Sequence, residues 1–190
     1  SAHLAIVDIV LGVADILPIH GFGYLVPRNA TNNSDEILGV IFDSDAVPNQ
    51  SQRLTKLTVM MGGPYWRHRS SFPNEDDVKE RALRALHSQL GLSLLTLTSH
   101  LENIYARVMT DTIPQYLVGH PQRMAELKAA IKMHPQWRNR LSLLGYSYGG
   151  VGVNDCIANA MDTCDAICNY EQNKSPLSDT SGLQPALFPG

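Results

Sequence analysis

The sequence predicts an α+β protein with a mixed or antiparallel sheet and packed helices. Three observations carry this. Short β-branched runs with turn-sized gaps fill the first sixty residues, as neighbouring antiparallel strands would. A helix with start and stop signals at both ends follows near residue 75. Further on, helical spacing resumes twice, after Pro121 and after Gly152.

The elements follow in order. Leu4–Val10 is a β-branched run, and the stretch from Gly21 to Val26 is a short strand ended by Pro27. Asn29–Asp35 is a polar turn. Ile37–Phe42 is a strand stopped by Asp43, and Leu54–Met61 a strand stopped by Gly62, Gly63 and Pro64. Asn74 is an N-cap, and Glu75, Asp76 and Asp77 place negative charge where the helix dipole favours it. Val78, Ala82, Ala85, Leu86 and Leu90 form the buried stripe, with Gly91 as the stop and His87 at the stripe's edge. Leu94–Met109 reads as a strand. Pro121 opens a second helix with Met124, Leu127 and Ile131 on its apolar side and Pro135 just beyond. Leu141–Leu144 reads as a strand running into a turn with Gly145, Gly149, Gly150 and Gly152, and the last helix covers about Asn154–Tyr170. Asn154 is expected to cap that helix and Asp155 to complement its dipole. From Glu171 to Gly190 the Ser-, Pro-, Asn- and Gly-rich composition reads as a loose tail.

At 190 residues the chain can bury a sizeable core, and 44% apolar content is ordinary. A charged fraction of 17% is low and points to apolar surface meant for a partner, a ligand or a membrane face. The net charge of −3 argues against a nucleic-acid binder. The Arg67-His68-Arg69 cluster reads as a solvated loop. The apolar stretch Leu4–Ile19 is too short to span a bilayer, and Asp8 and Asp15 would each cost about 2.5 to 3.5 kcal/mol at its centre. Three cysteines, Cys156, Cys164 and Cys168, share the last helix without a second pair to complete a zinc site. They fit small buried apolar groups in a reducing compartment. The sequons at Asn29, Asn32, Asn49 and Asn173 carry no meaning without a secretory signal.

Chemistry-bearing constellations are sparse. The histidines at 3, 20, 68, 87, 100, 120 and 134 are dispersed without ligand spacing. Ser147 lies in Gly145-Tyr-Ser-Tyr-Gly149, but no Asp/His pair is placed to help it, so it is not read as a nucleophile. No Walker loop or G-x-G-x-x-G fingerprint occurs. What remains is a glycine-rich turn at a helix start, where main-chain N–H groups can approach a planar or anionic group. Such a site suits chemistry carried by a cofactor.

Five segments then occur in a telling order: His20-Gly-Phe-Gly-Tyr-Leu-Val-Pro27, Leu38-Gly-Val-Ile-Phe-Asp-Ser44, Leu57-Thr-Val-Met-Met-Gly-Gly63, Ile113-Pro-Gln-Tyr-Leu-Val-Gly-His120 and Gly150-Val-Gly-Val-Asn-Asp-Cys-Ile157. From about Leu4 to Tyr170 the chain resembles the C-terminal part of the oxygen-dependent protoporphyrinogen oxidases, in fungal-style wording. That resemblance implies an amine-oxidase-like FAD-binding fold lacking its N-terminal dinucleotide-binding segment. Residues 1–118 would be a partial substrate-domain sheet and helix, 119–170 the end of the flavin domain, and 171–190 the tail. It implies FAD as cofactor, with Val151, Gly152 and Val153 laying their backbone against the flavin. Val108 would stand near the cofactor too, although the family places a larger apolar or aromatic side chain there. Gly23, Leu25, Ile41 and Met60 match positions lining the tetrapyrrole pocket, where a flat macrocycle needs apolar walls. From the residues alone, Gly23 is equally a bulge or turn residue, and Ile41 and Met60 equally sheet core.

The implied activity is oxidation of protoporphyrinogen IX to protoporphyrin IX with molecular oxygen, in haem synthesis at the mitochondrial inner membrane. No residue of this chain need act as acid or base. Partners implied are the missing N-terminal part, which would also contact the membrane, and a homodimer is left open. The alternative is a truncated, non-catalytic relative that binds tetrapyrrole or a partner chain. A relative acting on amines is disfavoured, because the I-P-Q-Y and V-N-D-C-I wording is not theirs.

Overall fold

The structure, a computed structural model, describes residues 1–47 and 53–173. The chain forms two compact units, one over Ser1–Ile113 and one from Pro114 onward.

The first unit is a five-stranded sheet in the order β2-β3-β4-β1-β5: β1 (Ala2–Leu11), β2 (Gly23–Leu25), β3 (Ile37–Ile41), β4 (Thr55–Gly62) and β5 (Leu101–Ile113). Every pairing is antiparallel. Alternation along β1 sets the two faces. Ala5, Val7, Ile9 and Leu11 are fully buried, whereas Asp8 between them is exposed. Register carries this alternation across the sheet, pairing Val7 with Val59 and Ala106, and Val59 with Val40, on the buried face. Among the described residues four helical segments belong to the unit: α1 (Asp43–Ala46), the 3-10 turn Gly63–Trp66, α2 (Glu75–Leu90) and α3 (Leu94–His100).

The helix α2 forms as its punctuation predicts. Asn74 accepts from the Asp77 N–H, Asp77 reaches back to the Asn74 N–H, and Gly91 ends the helix at a φ of 71°. Val78, Ala82, Ala85 and Leu86 are fully buried in one core with the inner face of the sheet, and Leu90 packs at its margin. His87 caps the helix edge through Nδ1 and the Leu92 carbonyl, 2.8 Å apart.

One expectation in this unit is corrected. Leu94–Met109 is not one strand: residues 94–100 are helix α3, and β5 starts only at Leu101. Ser93 decides this, because its Oγ accepts from the Thr96 N–H at 3.0 Å and caps a turn that buries Leu97. The Arg67–Arg69 segment is an exposed loop as expected, and Arg69 ties it to the sheet. Arg69 pairs with Glu36, whose carboxylate also accepts from Trp66 Nε1 at 2.9 Å and from Arg81 Nη1 at 3.0 Å.

The second unit holds α4 (His120–Met133) and α5 (Val153–Asn173). On α4 the residues Met124, Leu127 and Ile131 are half-buried, as the apolar stripe predicts. The strand expected at Leu141–Leu144 does not form. Leu141 and Leu143 are half-buried and Ser142 and Leu144 exposed, the in-out pattern of a strand, yet the segment pairs with nothing among the described residues. A strand needs a ladder partner as well as alternation. Helix α5 starts one residue early, so Asn154 lies inside it and is not the cap. Asp155 does serve the helix start: its Oδ2 accepts from the Gly152 N–H at 3.2 Å. The sequon at Asn49 and the tail beyond Asn173 fall outside the described residues.

Candidate functional site

Gly23, Leu25, Ile41 and Met60 come together on the face of the sheet opposite α2. Gly23 pairs with Ile41, Leu25 with Gly39, Gly39 with Met60 and Ile41 with Thr58. Neighbours in register share a face, so all four candidates stand on one patch. Leu25 is 80% exposed there, and Ile41 and Met60 are half-buried. The patch is apolar with polar neighbours. Thr58 Oγ1 lies 2.9 Å from Asp8 Oδ1 and 2.8 Å from Asp43 Oδ2, and its single hydrogen serves one carboxylate at a time.

The strand carrying Gly23 and Leu25 is held from both sides. Asp45 Oδ2 accepts from the Gly21 N–H at 3.0 Å and stands 3.1 Å from His20 Nδ1. On the inner face, the Tyr24 hydroxyl donates to Gln89 Oε1 of α2 at 2.8 Å, and burial pushes its pKa up to about 12. The reason for Gly23 itself differs from the expected one. A Cβ there would lie 2.1 Å from the Val40 carbonyl oxygen, and φ is +141°. The glycine is required by the neighbouring strand's backbone, whatever occupies the open face.

Val108 stands elsewhere. It pairs with Ala5 on the inner face and packs at the margin of the core, so it does not join the other four.

In the second unit, Val151, Gly152 and Val153 are adjacent at the start of α5. Val151 is 50% and Val153 77% exposed. One glycine of the preceding turn, Gly150 at a φ of +139°, is needed by the chain itself, whereas at Gly149 and Gly152 an added Cβ would meet only side-chain ends that can move. A Cβ on Gly149 would meet Asn159 at 2.8 Å, one on Gly150 would meet Asp155 at 2.5 Å, and one on Gly152 would meet Asp155 at 3.0 Å. The turn therefore closes down on α5, and its glycines do not by themselves mark a ligand. The opposite, outward side fits a planar cofactor edge. It offers two exposed valines and a helix N-terminus, where main-chain N–H groups lack helical partners. The turn is not a nucleophile elbow, because no strand enters it at Ser147.

Sequence reasoning missed the residues that shape this turn. Tyr116 Oη donates to the Tyr146 carbonyl at 2.5 Å and accepts from the Gly150 N–H at 2.8 Å. Its ring stacks on His120, with centroids 4.0 Å apart and planes 12° from parallel. Both residues belong to the I-P-Q-Y segment, so the signal was in view without a role attached. A groove of about 470 Å³ also runs between α4, α5 and residues 141–149, with Lys128, Lys132, Asn139 and Asn159 on its walls.

Among the described residues no group of three or more His, Cys, Asp or Glu could hold a metal, and no helix is long and apolar enough to cross a membrane.

The fold is shared with a structure solved from a bacterium. A candidate protoporphyrinogen oxidase from Exiguobacterium sp. 255-15 superposes with a TM-score of 0.66 at 24% identity, over 88% of this chain and 35% of that one. No family model matches. Sequence similarity carries the relationship further. The chain is 35% identical over 178 residues to the protoporphyrinogen oxidase of Schizosaccharomyces pombe, covering 92% of this chain and 34% of that protein. It is 33% identical over 162 residues to the Homo sapiens protoporphyrinogen oxidase, covering 83% and 32%. Over most of its length the chain is thus similar to a part of the protoporphyrinogen oxidases, and it spans about a third of the length of the curated relatives it matches.

Proposed function

We propose that this chain is the C-terminal segment of an FAD-dependent oxidase that converts protoporphyrinogen IX to protoporphyrin IX with molecular oxygen. The observation that carries this is 35% identity across 92% of the chain to a protein of that name. In this reading residues 1–118 belong to the substrate side and residues 119–170 close the flavin domain. FAD, when bound, supplies the electron acceptor for oxidising the macrocycle.

The chain's own residues bind and orient. Gly23, Leu25, Ile41 and Met60 offer an apolar wall to a flat tetrapyrrole. Val151, Gly152 and Val153 offer main chain and two apolar side chains to the flavin ring. Val108 is assigned to the cofactor side by resemblance alone. No acid or base is needed from these residues. The chain's task is to hold the reacting carbon beside the acceptor, which is catalysis by positioning. The dinucleotide fingerprint and the membrane contact at the mitochondrial inner membrane belong to the portion beyond this chain. The unpaired strand-like segment Leu141–Leu144 supports that division, since a sheet of the N-terminal portion would supply its partner.

A second reading is a non-catalytic relative that binds tetrapyrrole or a partner chain. The exposed apolar side chains of α5, Val153, Ile157, Met161 and Ile167, favour it, as they suit a protein partner as well as an enzyme's own N-terminal portion. One experiment separates the two. The full-length product of the reading frame is purified, its flavin absorbance read, and porphyrin fluorescence followed under air after adding protoporphyrinogen IX. Flavin-loaded protein that accelerates the fluorescence supports the oxidase. Flavin-free protein that leaves the rate at its spontaneous level defeats it.

A further inference from the structure

Resting on the flavin reading above, we propose that Tyr116 is a positioning residue: its hydroxyl clamps the glycine turn into the one shape that presents Val151–Val153 to the cofactor. One oxygen serves two backbone groups four residues apart. It donates to the Tyr146 carbonyl at 2.5 Å, where the turn begins, and accepts from the Gly150 N–H at 2.8 Å, where the turn ends. A tyrosine hydroxyl has one hydrogen and free lone pairs, so both bonds form together.

The clamp is anchored behind and continued ahead. Behind, the Tyr116 ring lies flat on His120, the first residue of α4. The His120 Nε2 is buried without a hydrogen-bond partner among the described residues, so the imidazole acts here as a stacking surface. Ahead, Asn159 Nδ2 donates to the Gly149 carbonyl at 3.0 Å and the Gly152 N–H donates to Asp155 at 3.2 Å. Gly150 and Gly152 are therefore both fixed, and Val151 sits between them as the exposed apex. Gly145 and Gly150 adopt φ of +111° and +139°. A turn this rich in glycine has many alternative shapes, which makes a single outside clamp valuable.

The test uses Tyr116→Phe, which keeps the stacked ring and removes only the hydroxyl, with His120→Phe as a control that keeps a stacking ring and removes the orphan nitrogen. Amide hydrogen exchange at Gly150 is measured in the 190-residue chain. Tyr116→Phe should exchange about tenfold faster there, and His120→Phe at the wild-type rate. In the full-length protein, Tyr116→Phe should bind FAD about tenfold more weakly and shift the visible flavin spectrum, with the thermal unfolding midpoint unchanged. Wild-type exchange at Gly150 in Tyr116→Phe overturns the clamp. Faster exchange with wild-type flavin affinity and spectrum overturns the positioning role. Wild-type protein that binds no FAD is a different failure: it removes the flavin reading, and the positioning role with it.

Discussion

Replacing Gly23 by alanine separates a packing requirement from a pocket requirement. The new Cβ would stand 2.1 Å from the Val40 carbonyl oxygen and 2.9 Å from Ile41 Cα. Those are backbone atoms and cannot swing aside as a side chain would. The φ of +141° adds strain of about 1 to 3 kcal/mol for a residue with a side chain. Relief requires β2 to move off β3, which gives up the short Gly23–Leu25 pairing at about 1 kcal/mol per hydrogen bond. The total is about 3 to 5 kcal/mol. Gly91 is the internal control: its φ is +71° but nothing lies within 4 Å of an added Cβ. Alanine there should cost about 1 kcal/mol. Urea unfolding followed by Trp66 fluorescence reads the first unit alone once Trp137, the second of two tryptophans, is replaced by phenylalanine. With an m-value of about 1.5 kcal/mol/M, Gly23→Ala should lower the midpoint by about 2 to 3 M and Gly91→Ala by less than 1 M. No porphyrin is present, so a lost pocket cannot supply the difference. Equal shifts for the two variants would refute the backbone-clearance argument and return Gly23 to the ligand.

Three further outcomes follow from the first unit. Tyr24 has its pKa raised from 10.0 to about 12 by burial, so the folded state favours the neutral phenol. Its contribution is complete below pH 10 and is lost as pH rises through about 12. A pH titration of unfolding should show that alkaline loss, and Tyr24→Phe should flatten it; an unchanged alkaline slope in the variant would count against the assignment. Glu36→Ala leaves the fully buried Trp66 indole N–H without its acceptor and should cost about 2 to 3 kcal/mol in urea unfolding. The Arg69 and Arg81 pairs, partly exposed, add little to that; a loss below about 0.5 kcal/mol would show that water reaches the indole. Asn74→Ala removes the side-chain half of the α2 capping box, leaves the residue-74 N–H able to donate to Asp77, and should cost about 1 kcal/mol, whereas Asn74→Asp should retain most of it.

How much of this was legible in advance depends on how local the signal was. Strands β1, β3 and β4 and helix α2 were written in their own residues, through β-branched runs, alternation, a capping asparagine and a stopping glycine. The five ordered segments pointed to the family, and the strand register puts Gly23, Leu25, Ile41 and Met60 on one face of the sheet. The miss at Leu94–His100 has a local cause too: alternating leucine and threonine mimics a strand, and the Ser93 cap outweighed it.

The sequence by itself determined which segments could be helix or strand and which family they resemble, because periodicity, caps and word order are properties of neighbours along the chain. Only the tertiary structure decided what depends on distant atoms. It left Leu141–Leu144 unpaired for want of a ladder partner among the described residues, and put Val108 on the inner face through its register with Ala5. It also showed that Gly23 yields to the Val40 carbonyl and Gly150 to Asp155, and that Tyr116 grips a turn thirty residues away. Clearance and hydrogen bonding across long sequence separations are set by where the chain returns in space, and no local pattern encodes that.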